Sequence, residues 1–222
     1  MKLNSVQPIA ALVLASVIWG ISGIYYAQVA HIQPLLVLAH RSLWAMLFFS
    51  FILIFRGKLF ELFQNYISFR ELTLLSASAL MISINWFSFI FAIQTEQAVQ
   101  ASFGYYIFPL IAVIFGFLFK GERFSKIQLF AIFFAGISVL VLGVALKMIP
   151  TIALVIAISF GAYGLIKSYT KIGAIESVTI ETIILTPLAL GYIIYDKFNM
   201  VHARNFMETY DLLILMISGF IT

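Results

Sequence analysis

Residues 97–119 read QAVQASFGYYIFPLIAVIFGFLF, an unbroken stretch without a charged side chain. A helix needs about 20 mostly apolar residues to cross the hydrocarbon layer of a bilayer, and this stretch meets that length. A surface helix of a soluble domain would keep a polar stripe along one side. Here the apolar character runs all the way round, and the charges of Lys120-Gly121-Glu122-Arg123 gather just beyond the end. The stretch therefore reads as a transmembrane helix closed by a short polar turn.

Working outward, the same alternation recurs. Apolar runs lie near 8–29, 35–55, 72–93, 126–146, 150–167 and 178–195, and an eighth begins at Leu212 and is cut off at Thr222. The short alternating segments of a membrane barrel are not visible. The expected fold class is an all-α integral membrane protein, a multi-pass helical bundle. Composition agrees: 63% of the 222 residues are hydrophobic and 10% charged, with a mean hydropathy of +1.09. Soluble domains carry roughly 45–50% apolar and about 25% charged residues, so a soluble enzyme, a disordered chain and a collagenous chain are excluded. The first run follows Lys2 but carries Trp19, Tyr25 and Tyr26 toward its far end and leads to no small-residue cleavage site. It is expected to be a retained helix and not a removed signal peptide.

The net charge is +4, yet the basic residues sit in short loops, where they report orientation in the membrane and not a nucleic-acid partner. With the N-terminus cytoplasmic, the inside tail and loops hold Lys2, Arg56, Lys58, Arg70, Lys120, Arg123, Lys126, Lys167 and Lys171, and the outside loops hold Lys147, Lys197 and Arg204. That excess favours an inside N-terminus. The segment 196–211 is expected to be a plain polar connector outside. Cys is absent, which removes a disulfide framework, a thiolate metal site and a Cys nucleophile.

Two stretches resemble each other. Trp19-Gly20-Ile21-Ser22-Gly23 in the first run lines up with Phe160-Gly161-Ala162-Tyr163-Gly164 in the sixth, at an offset of 141 residues. The same offset sets His40 and Arg41 against Glu181 and Thr182. Five spans separate equivalent points, an odd number, so the two copies enter the membrane in opposite orientations. Inverted repeats are characteristic of secondary transporters, with the substrate site near the midplane between the halves.

Several segments together resemble the RarD branch of the EamA family, within the drug/metabolite transporter superfamily. They are Trp19-Gly20-Ile21, His40-Arg41 with Trp44, Asn85-Trp86, Ala101-Ser102-Phe103-Gly104-Tyr105-Tyr106-Ile107 with Pro109, Gly121-Glu122-Arg123-Phe124, and Ile180-Glu181-Thr182 with Pro187. The resemblance implies a permease of the bacterial inner membrane with ten helices in two inverted halves of five and both termini inside. On that pattern, 1–148 is the first EamA repeat, and 149–222 a partial second repeat holding helices six, seven and the start of eight. The expectation is then a fragment of a longer reading frame or a truncated product, inactive alone or completed by a second copy as a homodimer.

Ionisable groups inside spans are costly and mark functional sites by default. Arg41 lies about six residues into the second span, roughly 9 Å deep at 1.5 Å per residue; it either serves the site or snorkels to the headgroups. His40 beside it is a ligand or proton acceptor, or a satisfied interior histidine. Glu181, a few residues into the seventh span, is a candidate proton- or cation-coupling group unless a protein cation answers it. The mechanism suggested is a pair of gates, His40 and Arg41 toward the outer face and Glu181 toward the inner.

Asn85 must find a partner in a neighbouring helix or a ligand. Trp86, Tyr105 and Tyr106, with Trp19, Phe103 and Tyr163, are candidates for stacking on substrate. Pro109 removes one helical hydrogen bond and so frees a carbonyl, or simply kinks its helix. Gly20, Gly23, Gly161 and Gly164 are expected to serve close helix packing. An intramembrane enzyme is the rival class. The chain has no His-Glu-x-x-His pair, no Gly-x-Ser-x-Gly elbow and no phosphate-binding glycine loop. Neither a metal nor a cofactor is expected, and no selectivity-filter pattern suggests a channel. The expectation is a secondary-active permease or exporter for a small metabolite or drug-like compound, with the lipid bilayer and that solute as its partners.

Overall fold

The computed structural model describes residues 6–60, 62, 68–145, 150–199 and 209–221. Among them the secondary structure is helical throughout, in the order α1 (Val6–Gln28), α2 (Pro34–Phe55), α3 (Phe69–Gln94), α4 (Ala98–Lys120), α5 (Lys126–Ala145), α6 (Thr151–Lys167), α7 (Ala174–Asn199) and α8 (Thr209–Ile217). Lys2, Lys147 and Arg204 of the charge count, the repeat boundary at 148–149, most of the 196–211 connector, and Thr222 lie outside the described residues.

The helices overrun the apolar stretches because backbone hydrogen bonding continues into polar flanks wherever a cap receives it. Ser68 Oγ accepts from the Glu71 amide at 3.2 Å and so starts α3 three residues before the apolar run. Pro34 begins α2, where a missing N–H costs nothing. Gly121, at φ +64°, closes α4 in the left-handed conformation that a helix C-terminus favours.

The chain is a multi-pass membrane protein. Five helices, α2, α3, α4, α5 and α7, are long and apolar enough to cross a bilayer, against seven spans expected from the sequence. The other two are apolar but shorter: Val13–Gln28 within α1, and all 17 residues of α6. At 1.5 Å per residue, α6 falls a few ångströms short of a ~30 Å hydrocarbon layer.

Three helix pairs form the packed centre: α4 on α6, α2 on α7, and α3 on α6. The α2–α7 pair is antiparallel. Tyr192 near the end of α7 donates to Gln33 just before α2, while Leu53 near the end of α2 shares an apolar cluster with Ile180 near the start of α7. Close approach of α4 to α6 depends on Gly104. A Cβ there would stand 2.8 Å from the Ala153 carbonyl oxygen and 2.8 Å from Ile156 Cβ. Gly161 plays the same part, with Ile111 Cγ2 at 2.7 Å. The other glycines expected to serve packing are not crowded in this way among the described residues: nothing lies within 4 Å of a Cβ at Gly20 or Gly164, and Gly23 meets Ile93 at ordinary contact distance, 3.5 Å. Both uncrowded glycines sit on weakly covered helix faces, where repeat similarity says nothing about a neighbour. Among the described residues α5 buries none and leans chiefly on α4; its apolar side chains, Ile127 and Val144 among them, are left for lipid or other protein.

A candidate functional site of two buried polar clusters

α2 begins with an apolar turn and then buries His40, Arg41 and Ser42 in succession. Arg41 is only 6% exposed, so its side chain turns into the bundle and does not snorkel. Its Nη1 donates to Tyr26 Oη on α1. The face of its guanidinium lies 4.3 Å from the centre of the Trp86 ring on α3 and 5.7 Å from that of Tyr26. His40, 7% exposed, sits beside it with Nδ1 lacking a hydrogen-bond partner among the described residues.

The second cluster lies where α7 begins. Glu181 is 2% exposed and fully answered. It forms an ion pair with Lys167 Nζ at 2.9 Å, accepts from Ser78 Oγ at 2.7 Å and accepts from Tyr163 Oη at 3.3 Å. Lys167 also donates to Ser177, and its ammonium stands 5.5 Å from the Tyr163 ring centre. Three helices, α3, α6 and α7, thus converge on one carboxylate. The condition attached to Glu181 in the sequence is met: a protein cation answers it.

α3 joins the two clusters. Ser78 and Asn85 lie two turns apart on one face, about 10 Å along the axis. The Asn85 amide donates to the Ile156 carbonyl on α6 at 3.0 Å, and its oxygen accepts from Tyr105 Oη on α4 at 3.0 Å. A run of ring contacts follows the same route: Tyr26 to Phe89 at 6.0 Å, Phe89 to Tyr105 at 5.9 Å, Tyr105 to Phe160 at 5.7 Å, and Phe160 to Tyr163 at 6.1 Å. Rings therefore connect the Arg41 cluster to the Glu181 cluster.

The structure brings His40, Arg41, Trp86, Asn85, Tyr105 and Glu181 into this system and leaves two candidates outside it. Tyr106 is 52% exposed, about 100° around α4 from Tyr105. Pro109 shares that exposed side; its missing N–H deprives the Tyr105 carbonyl of its helical donor. Trp19 is exposed and touches the system only through Phe160, edge-on at 6.4 Å. Sequence reasoning missed Lys167, Ser78 and Tyr26. Lys167 counts as a loop charge because it closes α6, and nothing in the hydropathy shows that its side chain turns back to Glu181, 14 residues on. Ser78 and Tyr26 gave no signal.

A groove of about 320 Å³ lined by Gln33, Pro34, Leu35, Phe87 and Phe91 contains none of the candidate residues and carries no charge. No group of three or more potential metal ligands occurs among the described residues.

Comparison with known proteins agrees with this architecture. The profile of the EamA-like transporter family matches residues 7–144. An uncharacterized transporter of Bacillus subtilis, YojE, is 36% identical over 184 residues, 81% of this chain and 61% of that protein. Protein RarD of Salmonella typhi is 30% identical over 218 residues, 97% of this chain and 74% of its own. Protein RarD of Escherichia coli is 32% identical over 188 residues, covering 84% and 63%. The chain thus spans about three fifths of the length of several of these relatives, YojE and the Escherichia coli protein among them.

Proposed function

The chain belongs to the EamA-like transporter family, and from that premise we propose that it acts in a secondary-active permease or exporter of the RarD type. The permease moves a small metabolite or drug-like compound across the bacterial inner membrane by alternating access. One observation carries the reading: two buried charged clusters stand at opposite ends of the antiparallel α2–α7 pair, joined by a line of aromatic rings. Charges are buried at this cost in a membrane chiefly where a polar solute or ion must pass. With the N-terminus inside, the Arg41 cluster is the outer gate and the Glu181 cluster the inner.

The contacts also support two inverted halves. Tyr26 and Lys167 are 141 residues apart, the offset of the sequence repeat. Tyr26 pairs with Arg41 of α2, and Lys167 with Glu181 of α7. In each half, then, the last turn of the first helix grips a charge or hydroxyl partner near the start of the second. On this reading α2 and α7 are equivalent helices, and the α3–α6 contact has its counterpart in Tyr25 of α1 donating to the Ile214 carbonyl of α8.

The test compares solutes inside and outside cells that overproduce the wild-type protein, Arg41→Gln or Glu181→Gln. The wild type should shift at least one small compound across the membrane, and each variant should abolish the shift. Wild-type movement in both variants would end the gating roles. A wild-type protein that moves nothing would end the carrier reading.

A further inference from the structure

Most buried polar groups among the described residues are answered by protein: Asn85 by Ile156 and Tyr105, Glu181 by Ser78, Tyr163 and Lys167. Of the five exceptions, two are acceptor oxygens at the ends of α3, Glu71 Oε2 and Gln94 Oε1, and the three nitrogens lie together on α2: His40 Nδ1, Arg41 Nε and Trp44 Nε1 are buried without a partner. At 3.6 residues per turn these three positions fall within an arc of about 100° on one face of the helix. The ion pairs of the described residues use His31, Lys58, Arg70 and Lys167 as their cations, and none uses Arg41. What answers Arg41 is uncharged: the Tyr26 hydroxyl and the faces of Tyr26 and Trp86.

A guanidinium removed from water without an anion is expensive, and far more so than one that is paired. Its hydrogen bonding is incomplete at one buried edge, which is closed to solvent in this conformation. Trp86 covers the face, Tyr26 takes Nη1, and the edge carrying Nε is left to donate. That edge matches the two oxygens of a carboxylate. The geometry points to this face of α2 as the binding site for the carboxylate of a small organic monoanion, with Arg41 as the charge partner and His40 and Trp44 as further nitrogen partners. The charge count selects the class. One permanent cation balances one negative charge, whereas a phosphate dianion would leave an unbalanced charge in a low-dielectric interior. The site rests on the carrier reading only in that the solute arrives and leaves.

The experiment measures thermal unfolding of the purified protein in detergent at about pH 8.5, with benzoate as probe, benzamide as the same body without charge, and inorganic phosphate, there almost wholly the dianion. Benzoate should raise the melting temperature with concentration, as a ligand of the native state does, and benzamide and phosphate should not. Arg41→Gln should melt above the unliganded wild type, because an unanswered charge is gone, and should ignore benzoate. Trp44→Phe keeps the ring and should weaken the benzoate response about tenfold, the worth of one hydrogen bond to a charged group. An Arg41→Gln protein that melts lower, or fails to fold, would mean that a protein group answers Arg41 and would overturn the site. So would a wild type blind to benzoate, or one equally responsive to benzamide. The two readings separate: benzoate binding by a protein that moves no solute keeps the site and ends the carrier, and solute movement without any carboxylate response does the reverse.

Discussion

Arg41 and Glu181 are both ionisable side chains buried in apolar helices, and the protein treats them oppositely. Glu181 is held by a cation and two hydroxyls, while Arg41 has only a hydroxyl and ring faces. Lys167→Met, which leaves the carboxylate unpaired, should therefore cost about 3 kcal/mol of stability, and adding Glu181→Gln should recover most of that loss. Denaturant unfolding in detergent measures both, and additive losses would show that the pair is not coupled. Asn85→Leu removes the acceptor of the Tyr105 hydroxyl and should cost about 1 kcal/mol, the usual worth of a hydrogen bond between membrane helices. Arg41 and Glu181 were legible in the sequence because a charge inside an apolar run stands out. Lys167 was not, since hydropathy cannot tell a lysine that enters the headgroups from one that folds back into the bundle.

Among the elements, α4 and α6 depend on two glycines for contact, and the sequence pointed to only one of them. Repeat similarity singled out Gly161, which stands against Ile111, but also Gly20 and Gly164, where a Cβ would meet nothing within 4 Å; Gly104 falls outside the repeated motif, yet a Cβ there would stand 2.8 Å from the Ala153 carbonyl oxygen. Gly104→Ala should push α6 away and lower stability by about 1–3 kcal/mol, the usual effect of overpacking. Gly164→Ala, with open space and a helical backbone, should be neutral or stabilising by up to about 1 kcal/mol. Melting temperatures of the two variants test the contrast, and equal losses would contradict it. The helices themselves were legible to within a few residues from hydropathy. Their ends were not, because caps such as Ser68 extend a helix beyond its apolar stretch. Which side of α4 faces inward was not legible either: Tyr105 and Tyr106 are adjacent and equally aromatic, and only packing against α6 distinguishes them.

At the scale of the whole molecule, alternating access requires the two clusters to exchange access to water as one half moves against the other. α3 carries groups of both clusters, Ser78 and Trp86, so a shift of α3 would reach both gates together. The chain has no Cys, so single cysteines can be introduced without a background. The most direct measurement labels Ser22→Cys on α1, near the Arg41 cluster, and Thr182→Cys on α7, beside Glu181, with a membrane-impermeant maleimide applied from each side, before and after adding a transported solute. The expected result is reciprocal change, one site gaining reactivity from its own side as the other loses it. Reactivities that rise together, or that ignore the solute at both sites, would contradict alternating access.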